Sequence, residues 1–324
     1  MKLAMTTSVQ REGSQWTGLA PVFFKEFADQ LRSWRMRILE ILVLVAAVGA
    51  VFAAAQTMKA TVSENPFAFL DLFTSSKQPM PSFVTFLGFF VPLVAVSLGF
   101  DAINGEYSRR TLSRVLSQPI YRDALLMGKF LAAMATIAVV LLALWMVTTG
   151  LGIFVLGIPP GGEEVARGAL FLLVTLFYAG IWLSLAMLFS ITCHQPSTSA
   201  IASLGIWIFL SILWPIFAEY ISQAIAGPIY TPMDQMKQVS LSAALARVSP
   251  GTLYGEAVQV LLNPAVRTTG LVFQAQIQRA LIGNPLHLSQ SLILVWPQVV
   301  SLLAGCCALF AVSYISFQRR EIRA

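Results

Sequence analysis

The side chains able to do bond chemistry in this sequence are few and scattered. Its two histidines, His194 and His287, fall in separate polar turns, which argues against a paired metal site. The three cysteines, Cys193, Cys306 and Cys307, have no metal-ligand spacing, and chain neighbours such as Cys306 and Cys307 cannot close an ordinary disulfide. They read as small apolar side chains. Glu163-Glu164 with Arg167 reads as a solvated charge cluster in a polar turn. No Gly-x-x-x-x-Gly-Lys-Ser/Thr loop occurs, and Gly128-Lys129-Phe130 lacks both the earlier glycine and the hydroxyl. The chain therefore has no phosphate cradle of that kind. No catalytic residue, metal site or cofactor of its own is expected.

The stretch with the most informative spacing is the basic loop from Asn104 to Asp123. Ser108 is placed to cap a helix running from Arg109 toward Leu116, on which Leu112, Val115 and Leu116 form one apolar stripe. Arg109, Arg110 and Arg114 occupy the remaining surface. Pro119 ends that helix, and Arg122 and Lys129 then read as anchors of the next span at the headgroups. A short helix that is apolar on one side and cationic elsewhere suits docking into a groove of a cytosolic partner; composition alone would equally give a plain interfacial loop.

The elements that must hold this loop are membrane helices. Of 324 residues, 57% are hydrophobic and 11% charged, whereas soluble domains carry about a quarter charged residues. A helix crossing a ~30 Å hydrocarbon core needs about 20 mostly apolar residues. Six stretches qualify: Ile38–Thr57, Ser82–Phe100, Ala124–Leu156, Ala169–Thr192, Thr198–Tyr220 and Ser291–Phe317. The expected fold is an all-α integral membrane protein. Pro92, Pro215 and Pro297 lie inside spans, which is tolerated where a neighbouring helix satisfies the freed carbonyl. With the N-terminus inside, residues 1–37, 102–123 and 318–324 carry six, four and three Lys+Arg, and the longer outer segments 58–81, 157–168 and 221–290 carry two, one and four. The positive-inside rule then favours both termini in the cytoplasm. The net charge of +6 follows this pattern, and no nucleic-acid partner is expected.

The chain divides into a cytoplasmic N-terminus (1–37), spans one to five (38–220, with the loop 102–123), an extracytoplasmic segment (221–290), and the last span with its tail (291–324). Within the first part, Leu19–Met36 spaces Phe23, Phe27 and Leu31 by four, an amphipathic helix suited to lie in the lipid interface. Residues 221–290 are broken by Gly-Pro, Thr-Pro, Asn-Pro and Ser-Pro-Gly. Between the breaks lie apolar pieces such as Val239–Val248 and Leu271–Ile282, expected as several short helices. Charge is scarce in mid-span, against an ion-coupled carrier. Trp145, Tyr178, Trp182, Trp207, Phe209 and Trp214 are the larger surfaces that line a hydrophobic path or pack the helices.

The loop resembles the type-2 ABC (ABC-2) exporter permeases. Asp101 ends the second span, followed by Glu106, Thr111-Leu112, Pro119, Arg122 and Gly128-Lys129-Phe130, and Phe90–Phe130 is most similar to the permease group of nitrous-oxide-reductase maturation and gliding motility. Arg110 stands where a small residue is usual before the Thr-Leu. The resemblance implies a permease subunit that pairs with a second permease, as a homo- or heterodimer, and with two cytosolic ABC ATPase subunits carrying the ATP and Mg. It implies an exporter subunit, a multi-pass protein of the inner (cytoplasmic) membrane, and the apolar interior favours an amphipathic or hydrophobic substrate. It also implies a coupling helix using Glu106, Tyr107, Arg109, Thr111, Leu112, Val115, Leu116, Pro119 and Arg122. The alternative is a subunit that moves no solute and passes ATP-driven motion to an extracytoplasmic protein. A membrane enzyme or ion-coupled carrier is the third reading.

Overall fold

The computed structural model describes residue 16 and residues 18–58, 67–75, 81–108, 121–157, 159–266 and 286–320. Among them every regular element is helical. Gly18, at φ 94°, turns the chain into α1 (Leu19–Arg32), a left-handed turn that glycine makes without steric cost. The helix stops at Ser33, whose hydroxyl accepts from the Met36 N–H at 3.2 Å and so caps α2 (Trp34–Met58). The amphipathic stretch expected over Leu19–Met36 thus ends in a corner at Ser33. The 25 residues of α2 span about 37 Å, enough to cross a bilayer.

A short helix, α3 (Ala68–Thr74), sets Phe73 against Phe83 with ring centres 5.4 Å apart. Ser82 caps α4 (Phe83–Gly99) by accepting from the Thr85 N–H. Pro92 sits inside α4 and lacks the N–H that would bond the Gly88 carbonyl. The Tyr178 hydroxyl donates to that carbonyl at 3.0 Å, so a neighbouring helix supplies the missing bond. After α5 (Asn104–Ser108) come α6 (Arg122–Leu156) and α7 (Gly162–Thr192). The fifth span is α8 (Pro196–Ile208), a π turn over Phe209–Leu213, and α9 (Trp214–Ala226). Pro215 cannot donate within an α ladder, and the ladder widens just before it.

Residues 221–290 contain α10 (Pro232–Ala246) and α11 (Pro250–Leu262). A reciprocal capping box of Thr231 and Asp234 starts α10, and Pro250 opens α11 at a position where no N–H is needed. The expected piece Leu271–Ile282 lies outside the described residues. The last helix is α12 (Leu288–Arg319).

Among the described residues six helices are long and apolar enough to cross a membrane: Trp34–Ala54, Phe83–Ser108, Arg122–Val155, Gly162–Thr192, Pro196–Ala226 and Leu288–Arg319. The fourth is the most buried and the fifth the least. The centre is α7, which packs against α4, α6, α8, α11 and α12. Arg320, at the end of α12, accepts from Arg122 and donates to the Ile191 carbonyl, and Glu26 of α1 pairs with Lys129 of α6, so the described ends of the chain share one end of the bundle with α5. At the far end α11 is inserted among α3, α4, α7 and α12, with Tyr254, Ala257, Val258 and Leu261 buried.

The fourth span begins at Gly162, not at Ala169, and this corrects the reading of Glu163, Glu164 and Arg167 as a solvated turn. All three lie on the first turns of α7, where acidic side chains favour the helix N-terminus. Arg167 is fully buried. Its guanidinium donates to Glu163 (2.8 and 3.1 Å), to the Leu261 and Leu286 carbonyls (2.9 and 2.6 Å) and to the Ser291 hydroxyl (3.1 Å). A buried charge persists only when so paired. Here it ties the fourth span to α11 and α12.

Candidate functional site

The terminal end holds the densest charge chemistry among the described residues. It is built on Lys129 in the third span, which is 4% exposed. Its ammonium lies 2.7 Å from a Glu106 carboxylate oxygen on α5 and 3.0 Å from one of Glu26 on α1. The expectation that Lys129 anchors the span at the headgroups is therefore corrected. Burying an ammonium costs several kcal/mol unless partners compensate, and two carboxylates from two other elements do so.

The local sequence explains how these groups meet. A Cβ on Gly128 would lie 2.8 Å from Val22 Cγ1, so α1 seats on α6 because that residue is glycine. About two turns further along each helix, the Thr136 hydroxyl donates to Gln30 Oε1 at 2.9 Å. The face of α1 turned to the third span is thus Val22, Glu26 and Gln30, spaced by four. The expected aromatic stripe lies beside it: Phe23 and Phe27 stack at 5.8 Å, with both rings and Leu31 half-buried. Burial works to raise the Glu26 pKa, but the Lys129 ammonium and Lys25 outweigh it and hold the carboxyl below the usual range. Lys25 is shifted up, because Glu26, Asp29 and Glu106 outweigh its partial burial.

The segment carrying Glu106 is fixed on a second side. The Ser190 hydroxyl near the end of α7 accepts from the Ile103 and Asn104 N–H groups (2.9 and 3.2 Å) and donates to Asn104 Oδ1 (3.2 Å). Just before α5, Asp101 pairs with Arg35 at 2.8 Å, and the guanidinium of Arg35 lies 5.7 Å from the Phe100 ring centre. These charges surround a cavity of about 270 Å³. The end of α12 closes the group: Arg122 donates to the Arg320 carbonyl at 3.2 Å, Arg320 donates to the Ile191 carbonyl and covers the Tyr107 ring, and Gln318 donates to Asp123.

Of the residues expected to couple, Glu106, Tyr107 and Arg122 are therefore brought together. Arg109, Thr111, Leu112, Val115, Leu116 and Pro119 lie outside the described residues. Ser108 is the last described residue of α5, and the helix it is expected to cap, from Arg109 toward Leu116, lies outside the described residues.

The six aromatics expected along a path do not form one surface. Tyr178 and Trp182 are fully buried, with Tyr178 stacked on Tyr254 at 4.4 Å. Trp145 packs against α7 at Gly168. Trp214 donates its indole N–H to the Leu245 carbonyl at 2.8 Å, bracing α9 against α10. Trp207 meets Phe89 edge-on at 4.9 Å, and Phe209 is exposed on the fifth span.

Sequence reasoning missed Glu26 and Ser190, and it missed Gln298, which donates to Glu256 at 2.9 Å while Arg247 pairs with the same carboxylate at 3.0 Å. Glu26 alone left a trace, as a carboxylate spaced by four between Val22 and Gln30.

Comparison with known proteins agrees over nearly the whole chain. A family model described as "ABC-2 family transporter protein" matches residues 20–322. A relative from Pseudomonas aeruginosa, "Probable ABC transporter permease protein NosY", is 28% identical over 242 residues, 71% of this chain and 83% of the relative. A protein of the same description from Stutzerimonas stutzeri is 29% identical over 190 residues, 58% of this chain and 64% of that protein.

Proposed function

The chain belongs to the ABC-2 family of transporter proteins, as a multi-pass membrane subunit, and from that premise we propose that it is the permease subunit of an ATP-driven exporter. Two such subunits pair with two cytosolic ATPase subunits, which carry the ATP and Mg. Both termini and the Lys129 cluster face the cytosol, a placement supported by the concentration of Lys and Arg at that end. The segment from Glu106 to Arg122 docks on the ATPase and follows its closure.

The observation that carries this reading is the double pairing of Lys129 with Glu106 and Glu26. It makes the root of the docking segment part of a rigid unit containing α1 and the third span. Ser190 extends the unit to the fourth span. A displacement imposed on the segment then moves packed helices instead of bending a loop. The test is Glu106→Lys in the reconstituted complex, which places two cations together. ATP hydrolysis should continue while substrate movement falls. If the variant keeps full coupled transport, the segment is not the coupling element.

The cargo is proposed to be amphipathic or hydrophobic. Support comes from the fifth span, the least buried, whose apolar face includes Phe209 and lies beside Trp207 and Phe89. That face is offered to the second permease subunit, and the path runs along it instead of past the buried Tyr178 and Trp182.

A second reading has its own support. Arg167 ties α7 to α11 and α12, and the Arg247–Glu256–Gln298 chain ties the approach to α11 to α12. Motion of the fourth and sixth spans therefore carries α11 with it. In this reading the far end acts on an extracytoplasmic protein and no solute crosses. Partner function that survives removal of α10 would count against it.

A further inference from the structure

We propose that the cavity beside Lys129 binds the amine-bearing phosphate headgroup of an inner-leaflet phospholipid. The inference rests on the cytosolic placement of this end and adds a ligand to it.

The cavity has a buried floor and an exposed rim. Lys129, Glu26 and Glu106 make the floor, and Lys25, Asp29, Arg35 and Asp101 stand at the rim. Both signs of charge thus face one small space from four helices, α1, α2, α5 and α6, and from the turn that carries Asp101. A lone anion or a lone cation finds like charges there, whereas a molecule carrying both signs finds partners for each. Its volume of about 270 Å³ falls below the usual range for a drug-sized ligand, so it suits a headgroup better than a whole amphipathic cargo.

The rim is arranged to exchange partners. Lys25 pairs with Glu26 at 3.2 Å and with Asp29 at 3.8 Å, Arg35 pairs with Asp101 at 2.8 Å, and both cations are largely exposed. Exposed pairs contribute little, so replacing them with ligand contacts costs little. Lys25 and Arg35 then bind the phosphate, and Asp29 and Asp101 accept from the ammonium. The buried Lys129 pairing keeps the floor fixed. Phe24 on α1 and Trp34 on α2 are exposed, the aromatic pattern of helices at headgroup level.

The test uses the purified permease–ATPase complex in detergent without nucleotide, reading the thermal midpoint against added short-chain lipids. Dihexanoyl phosphatidylethanolamine should half-saturate at a concentration at least fivefold below that of dihexanoyl phosphatidylcholine, whose trimethylated amine cannot donate a hydrogen bond. It should also bind more tightly than the phosphatidylglycerol analogue, which has no ammonium. Arg35→Ala and Asp29→Asn should each weaken it by about threefold to fivefold, as for an exposed charge contact. Equal binding of the ethanolamine and choline lipids, or no change in either variant, overturns the proposal. Soluble phosphoethanolamine binding as tightly as the lipid overturns the assignment to a lipid. Because binding is read without ATP, failure here leaves the coupling role intact, and a failure of coupling leaves the binding readable.

Discussion

Glu106 and Lys129 lie 2.7 Å apart, and that ion pair joins the root of the proposed docking segment to the third membrane span. Lys129 has a second carboxylate, Glu26, at 3.0 Å. The pairing therefore has three members on three elements, and removing the central one strands two acids.

Lys129→Met should lower stability by about 3–5 kcal/mol, the usual cost of breaking a buried pair from one side. The thermal midpoint of the detergent-solubilised complex measures it. Adding Glu26→Gln and Glu106→Gln to that variant should recover most of the loss, since no buried charge is then left unpaired. A triple variant as unstable as the single one would show that Lys129 acts through packing.

The pairing also sets a pH dependence. Glu26 has its folded pKa held below the ordinary value, so its contribution is fully present above about pH 4.3 and is lost as pH falls through the depressed folded value. The protection of the Leu19–Arg32 amides, with intrinsic exchange at each pH divided out, should be equal at neutral and mildly acidic pH and then fall below about pH 4. In Glu26→Gln the protection should be lower at neutral pH and lack that acid step.

At the far end, Arg167→Ala should cost about 3 kcal/mol or more, because it leaves the Leu261 and Leu286 carbonyls and the Glu163 carboxylate without their shared donor. Arg167→Lys should restore little, since one ammonium cannot reach partners arranged around a planar fork. Limited proteolysis in residues 263–287 reads the effect directly, and cleavage should rise in both variants.

Within the membrane, Tyr178→Phe removes the donor that serves the Gly88 carbonyl opposite Pro92. An unmet buried carbonyl costs about 1–3 kcal/mol, so the variant should lose thermal stability by that order. Combining it with Pro92→Ala should return much of the loss, because α4 then makes the bond itself.

The spans were legible because lipid imposes a long apolar run that hydropathy detects without knowledge of neighbours. The positions of single charges were not. Lys129 stands early in an apolar helix, where a snorkelling anchor and a buried ion-paired lysine look alike in sequence. Its partner Glu26 lies 103 residues earlier. Arg167 follows two glutamates after a Pro-Pro-Gly-Gly turn and looks solvated, yet its other partners Leu261, Leu286 and Ser291 lie 94 to 124 residues later. The roles of the aromatics stayed open for the same reason, since apolarity identifies a core side chain and a path-lining one equally. Pro92 was read more fully, because a missing N–H dictates the kind of partner required even when its identity is hidden.

The central claim, that this chain meets its motor through the segment entered by Glu106, is tested most directly by photo-crosslinking from a benzophenone side chain at Leu112 in the assembled complex. The expected result is a crosslink to the ATPase subunit whose yield changes when ATP is added, with weakened nucleotide dependence in the presence of Glu106→Lys. Crosslinking only to lipid or to the second permease subunit, with or without ATP, would contradict it.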